Sequence, residues 1–281
     1  MQKILTLLLF TLFIWSCGSI RSSVKNKEDY SFVGCTVAPG FDFEDFVSHF
    51  PITVMCALIG ASPDVVPSLR SSMEALGLAF GMDKGHMPKV QQGHLVMDEF
   101  VHKLVADRRA QTVPNETPDL LDTLIAVAGD GDKGLTEREL HDLLIFLFVA
   151  GYDTSKNVLT FIMKVMLDYP EDYARCADDK AFCTKVVEEV LRLHSPATIT
   201  RRVGADVEYR DVLIPKGTLL YFTVNVSGRD AATFDKPDEF IPEREIPVPH
   251  TAFGRGIHLC LGQFIARAQI EEGIHLIAQH I

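Results

Sequence analysis

Residues 253–262 read FGRGIHLCLG, from Phe253 through Cys260 to Gly262, and no other stretch constrains the fold as tightly. Cys260 stands just ahead of an apolar segment that predicts a helix from about Leu261 to Gln279, and the partial positive charge of that helix's N-terminus favours a thiolate. Gly254, Gly256 and Gly262 permit a tight turn and the close approach of a flat ligand, while His258 can donate to an anionic group. The run is no dinucleotide fingerprint, because GxGxxG would need glycine at 259, where Leu259 stands. A surface turn around a buried cysteine is the plainer alternative, and the number of coinciding positions weighs against it.

Upstream of this loop, Pro237 to Pro249 holds four prolines in an irregular segment that contains Phe240 to Arg244, FIPER. Before it the pattern is short and extended. Val207 to Ile214 and Leu219 to Val226 read as strands around the turn Pro215, Lys216, Gly217. A helix from Lys180 to His194 carries Glu189 and Arg192 three residues apart, a spacing that taken alone describes a surface ion pair.

Earlier still, the chain reads as helical. Thr136 followed by Glu139 is a capping box, so a helix begins at Glu137 and runs to about Asp168, where Pro170 stops it, a length of about 48 Å. Its middle, Leu143 to Tyr152, is apolar on every face and is bounded by Asp142 and Asp153, which predicts a buried central helix. Within it, Ala150-Gly151-Tyr152-Asp153-Thr154 lets something bulky approach beside an acid and a hydroxyl, although this motif taken alone favours a tight helix crossing with a solvated Asp. Phe50 to Gly60, Val65 to Phe80, His94 to Arg109 and Asp119 to Ala128 are the remaining helical runs, and the two prolines of Thr112 to Pro118 separate the last two. The predicted class is mainly α with a small β component.

Three of these motifs together resemble the cytochrome P-450 family of haem-thiolate monooxygenases. Its cysteine loop, FxxGxHxCxG, is matched at Phe253, Gly256, His258, Cys260 and Gly262. The resemblance implies a partial cytochrome P-450 fold built around the long central helix, with Cys260 as the ligand of the haem iron. A thiolate is needed there because it pushes electron density onto the iron and favours O–O cleavage. It implies further that His258 contacts a haem propionate, and that Arg201 pairs with a propionate, with neighbouring Arg202 as a rival. Glu189 and Arg192 match the family's ExxR, joined by Arg244 in a structural charge network. Thr154 orients dioxygen and water by the same resemblance, and Asp153 feeds protons as a general acid. The cofactor implied is haem b, with dioxygen as co-substrate and electrons from NAD(P)H arriving through a ferredoxin or flavoprotein reductase. Arg255 and Arg267 would suit an acidic donor of those electrons. The implied activity is hydroxylation of an apolar organic small molecule; a non-catalytic, truncated haem-binding remnant or lipid-anchored protein is the alternative. The likeness is nearest to soluble bacterial members of the camphor-hydroxylase type and runs from Phe41 to Ile281. On family pattern the chain lacks segments at both ends.

Composition fits this reading. Twenty-seven basic against 38 acidic side chains among 281 residues give a formal net charge of −11, which argues against nucleic acid as a partner. Six cysteines without a CxxC pair exclude a zinc ribbon, thioredoxin-like chemistry and covalent attachment of a c-type haem. The N-terminus differs from the rest. Lys3, the apolar run Ile4 to Trp15, then Ser16-Cys17-Gly18 predict a signal peptide or lipoprotein signal over 1–17, with a linker at 18–40 and the family domain at 41–281. The apolar run is too short to span a bilayer, which takes about 20 residues. The family resemblance implies a cytoplasmic protein; a working signal would export it, and lipidation of Cys17 would tie it to a membrane.

Overall fold

A computed structural model describes residues 43–112, 115, 117–129, 131, 134–245 and 249–280. The signal candidate at 1–17, the linker at 18–40 and the cysteines Cys17 and Cys35 lie outside the described residues. The chain divides into two compact units at Lys156/Asn157, and each is described by itself. Mainly helical structure with two small sheets accords with the predicted class.

The first unit is all helix: α1 Phe43–Ile59, α2 Val66–Gly77, α3 Met87–Ala110, α4 Leu120–Ala128 and the first part of α5, Glu137–Met166. Helix α1 starts well before the apolar run at Phe50 and carries Pro51 in its interior. It stops at Gly60, whose φ of 84° is open to glycine, where the N–H groups of Gly60 and Ala61 both reach the Cys56 carbonyl at 2.8 Å. Helix α3 begins seven residues ahead of the predicted start at His94, because Pro88 falls in its first turn, where a missing N–H costs nothing. The capping box of α5 forms as read: Glu139 N–H donates to Thr136 Oγ1 at 3.2 Å, and Thr136 N–H donates to the Glu139 carboxylate at 2.8 Å.

One apolar core holds these helices. Met73 of α2, Met97 and Val101 of α3, Leu121 of α4, and Leu144, Phe148 and Tyr152 of α5 are all buried in it, each large side chain contributing about 1.5–3 kcal/mol. Arg108 fastens the polar edge, donating to both Asp119 oxygens and to Asp122 at 2.8 Å and to the Gly60 carbonyl at 3.0 Å. The hydrogen bond from Arg108, with that from Asn115, lowers the Asp122 carboxyl to about 2.

The second unit continues with α6 Pro170–Asp178, α7 Lys180–Leu193, strands β1 Thr198–Arg202, β2 Val207–Tyr209, β3 Val212–Ile214 and β4 Leu219–Thr223, the short helix α8 Val224–Ser227, and α9 Gln263–His280. Helix α6 is an addition to the sequence reading. Pro170 does end α5, yet it also opens the next helix as its first-turn residue. The extended run 207–214 is two strands rather than one. Arg210 and Asp211 take left-handed φ values of 49° and 61° and turn it into the antiparallel hairpin β2–β3. Strand β1 pairs antiparallel with β4, Ile199 opposite Phe222 and Arg201 opposite Leu220, and the predicted strand 219–226 gives way to α8 at Val224. Among the described residues, no helix is long and apolar enough to cross a membrane.

Candidate functional site

The cysteine loop folds back on itself immediately before α9. Cys260 N–H donates to the Phe253 carbonyl at 2.9 Å, Gly254 N–H to the Thr251 carbonyl at 2.8 Å, and Leu259 N–H to the Gly256 carbonyl at 3.1 Å. This closure depends on φ of 72° at Gly254 and 74° at Gly256, which other residues adopt only with strain. Cys260 is a free, exposed thiol. Around it Ile257, Leu261 and Phe264 are 97%, 87% and 77% exposed, a concentration of bare apolar surface that on a globular protein marks a binding face.

Behind the loop stand two charge clusters, both anchored on α7. In the first, Arg192 makes a two-pronged pair with Glu189, both contacts at 2.8 Å, with the side chains 0% and 1% exposed. Its remaining donors reach the carbonyls of Gly228, Pro237 and Glu239 at 2.5, 2.7 and 3.0 Å. Arg244 adds a contact to Glu189 at 3.2 Å and also bonds the Asp235 and Lys236 carbonyls. Ile241 N–H donates to the same carboxylate at 3.0 Å. The structure thus brings Glu189, Arg192 and Arg244 together and uses them to hold the proline-rich segment, every fork of Arg192 being satisfied. Such pairing is what a buried ion pair requires. Gly228 packs directly on the Arg192 carbonyl, leaving no room for a Cβ.

The second cluster was not legible in the sequence. Glu188 accepts from Arg267 Nε at 2.6 Å and Nη2 at 3.2 Å and lies 3.0 Å from His250 Nε2. The Arg267 guanidinium in turn covers the Phe253 ring at 4.3 Å, and His250 Nδ1 accepts from Ala252 N–H at 3.2 Å. Burial opposes the charged form of Glu188, but the hydrogen bonds from His250 and Arg267 outweigh it and hold the carboxyl at about 2. Helix α7, the start of the loop and helix α9 are clamped through this one carboxylate. Arg267, expected as a docking cation, is therefore engaged internally, whereas Arg255 remains exposed and donates to the Pro249 carbonyl at 2.7 Å.

The β1 strand separates the rival arginines. Gly254 of the loop lies against Ile199, and alternation along a strand puts Arg201 on the face of Ile199 and Arg202 on the opposite one. Arg202 donates to the Gly217 carbonyl at 3.0 Å, while Arg201, also exposed, donates to its neighbour Thr200's carbonyl at 2.7 Å. His258 is exposed in the turn Gly256–His258.

Asp153 and Thr154 belong to the first unit. Thr154 is exposed, and its hydroxyl donates to the Ala150 carbonyl one turn back at 2.7 Å. Asp153 is half-buried in a polar cleft with Glu44, Arg70, Glu74 and Lys156, and its carboxylate lies against Gly77 of α2. Arg70 pairs with Glu74 at 3.0 Å and Lys156 with Glu44 at 3.4 Å. Met55 packs against Gly151, where a Cβ would collide with its side chain.

A mainly helical chain in which a buried Glu–Arg–Arg network backs an exposed cysteine loop has the build of the haem-thiolate class of oxidoreductases. Within that class, this chain belongs to the cytochrome P450 family: the family model described as Cytochrome P450 matches residues 77–280. The chain is 34% identical over 235 residues to cytochrome P450 107B1 of Saccharopolyspora erythraea, covering 82% of this chain and 55% of that one. It is 32% identical over 270 residues to luteothin monooxygenase of Streptomyces thioluteus, covering 93% of this chain and 63% of the relative. The chain thus spans little more than half the length of these curated relatives. In fold it resembles Mycobacterium smegmatis CYP164A2 with econazole bound, at a TM-score of 0.81 and 24% identity, over 99% of this chain and 67% of that one. A second family model, Cupin superfamily (DUF985), matches residues 13–49, of which 43–49 are described and begin α1.

Family membership implies haem, and the residues of the second unit fit one. An exposed thiol stands among bare apolar side chains, the loop beside it is kept low by glycines at 254 and 256, and two cationic or hydrogen-bonding side chains, Arg201 and His258, are exposed on the loop and the strand against it.

Proposed function

We propose that the chain carries the haem-thiolate site of a cytochrome P450 monooxygenase that oxidises an apolar organic small molecule. The observation that carries this is the exposed Cys260 in a glycine-framed, apolar-flanked loop held from behind by Glu188 and by the Glu189–Arg192–Arg244 network. When bound, haem supplies the one-electron and dioxygen chemistry that protein side chains lack.

In this reading Cys260 Sγ would hold the haem iron, and Phe253, Gly256 and Gly262 would keep the loop low enough for a flat group to approach. Arg201 and His258 would hold its propionates. Arg201 is preferred to Arg202 because it shares the strand face that meets the loop. Asp153 exchanges protons with solvent through its polar cleft, as a general acid must. The Thr154 hydroxyl donates its hydrogen bond to the Ala150 carbonyl, which leaves its oxygen lone pairs to accept one from water or substrate. The apolar organic substrate class rests on family membership, one relative being by name a luteothin monooxygenase.

Electrons would come from NAD(P)H by way of a ferredoxin or flavoprotein reductase, with Arg255 as the exposed cation beside the loop. We further propose that residues 41–281 form the haem-binding portion and that 1–17 direct export or lipidation at Cys17; the mass of the mature N-terminus tests that. The carbon monoxide difference spectrum of the reduced, haem-loaded chain tests the site itself. A thiolate-type band supports the monooxygenase reading, and its absence would favour a non-catalytic protein.

A further inference from the structure

We propose that Cys176 and Cys183 are a redox-convertible pair, a dithiol that peroxide oxidises to an internal disulfide tying α6 to α7. The haem-site reading uses neither sulfur. Cys176 lies in the last turn of α6 and Cys183 in the first turn of α7, on either side of Asp179, whose carboxylate caps α7 by accepting from Phe182 N–H at 3.0 Å. The chain bends back at this cap and brings the two cysteines together. Cys183 Sγ lies 3.3 Å from the Cys176 carbonyl, and the two thiols are in hydrogen-bond reach of each other. Both are free and buried, and the Cys176 carbonyl also meets His275 Nδ1 at 2.7 Å.

The two sulfurs are placed differently. Cys183 donates its S–H to the Cys176 carbonyl, which leaves Cys176 as the sulfur that attacks and Cys183 as the one that resolves. In the oxidation, the Cys176 thiolate attacks one oxygen of hydrogen peroxide, becomes a sulfenic acid and expels hydroxide, which takes up the proton Cys176 had released. Cys183 sulfur then attacks the Cys176 sulfur; the S–S bond forms, and the hydroxyl leaves as water with the Cys183 proton. Two thiols and one peroxide yield one disulfide and two waters. Access comes through the junction itself, where Asp178 is exposed and the preceding helix is only nine residues long, the kind of element that opens locally. Helix α7 also carries Glu188, Glu189 and Arg192, so the bond would fix the N-terminal end of the helix that supports the cysteine loop.

The test exploits the sequence between the two sulfurs. Trypsin cleaves after Arg175, Lys180 and Lys185 and separates the peptides 176–180 and 181–185. The folded chain is treated with iodoacetamide to cap exposed thiols, Cys260 among them, then with hydrogen peroxide, then denatured with N-ethylmaleimide and digested. The expected product is the two peptides joined, lighter than their sum by the two hydrogens removed, separated again by dithiothreitol and absent from Cys183→Ser. Its formation should raise the thermal unfolding midpoint, reversibly. Recovery of the two peptides apart after peroxide, carrying maleimide or sulfonic acid, would overturn the proposal, and so would a link from either one to Cys56.

Discussion

Arg267 Nε donates to Glu188 at 2.6 Å, and this contact joins the helix that follows the cysteine loop to the helix that carries Glu189 and Arg192. Because the same guanidinium lies over Phe253, one carboxylate fixes both ends of the loop. Arg267→Ala should therefore lower stability by about 1–3 kcal/mol, the range for losing a charged hydrogen-bonding partner in a partly buried site, and should weaken haem retention. Chemical denaturation and haem-transfer rates measure the two effects; unchanged haem retention would separate the clamp from the site.

The pH dependence follows from the same group. The Glu188 carboxyl is held at about 2, below its ordinary 4.5. A lowered folded-state value means stability that is present in full above the ordinary value and is lost as pH falls from there toward 2. Wild type should thus exceed Glu188→Gln in unfolding midpoint at neutral pH, and the gap should close progressively below pH 4.5. A gap that stays constant down to pH 3 contradicts this assignment.

The Glu189–Arg192 pair lies almost fully out of solvent, so removing one partner strands the other charge. Arg192→Ala is expected to cost about 3–5 kcal/mol. Arg192→Lys keeps the charge but loses the planar fork that serves Glu189 and three carbonyls, and should recover only part of that. Urea unfolding of both variants checks the order, and a lysine variant as stable as wild type would refute the argument from geometry.

Strand alternation separates two neighbouring cations. Arg201→Gln should weaken haem binding measurably, by roughly tenfold for a lost charged contact worth about 1.4 kcal/mol, while Arg202→Gln should leave it near wild type. Haem titration of both variants decides between them, since equal losses would remove the distinction drawn from Ile199 and Gly254.

Much of this was legible in the sequence, and the exceptions have physical causes. The capping box at Thr136 and Glu139 and the glycine spacing around Cys260 could be read directly because each signature satisfies a local backbone demand. Pro170 reads as a break, yet it opens the next helix from its first turn, where proline is tolerated, and Pro88 does the same for the helix whose apolar stripe becomes legible only from His94. The hairpin turn at Arg210 and Asp211 escaped because Arg210 does not advertise a left-handed conformation and Asp211 stands without the glycine or asparagine that usually accompanies it in such a turn. Glu188 could not be recognised at all: beside Glu189 it looks like half of a solvated acidic pair, and its partners His250 and Arg267 lie 62 and 79 residues away. Charge clusters closed by such distant residues leave no periodic trace.

The central claim is that Cys260 ligates haem iron. It is tested most directly by loading wild type and Cys260→Ser with haem, reducing both, and recording the carbon monoxide difference spectrum. The account predicts a thiolate-type Soret band in wild type and its loss in the serine variant. A wild-type chain that takes up haem without that band, or a band that survives the substitution, would contradict it.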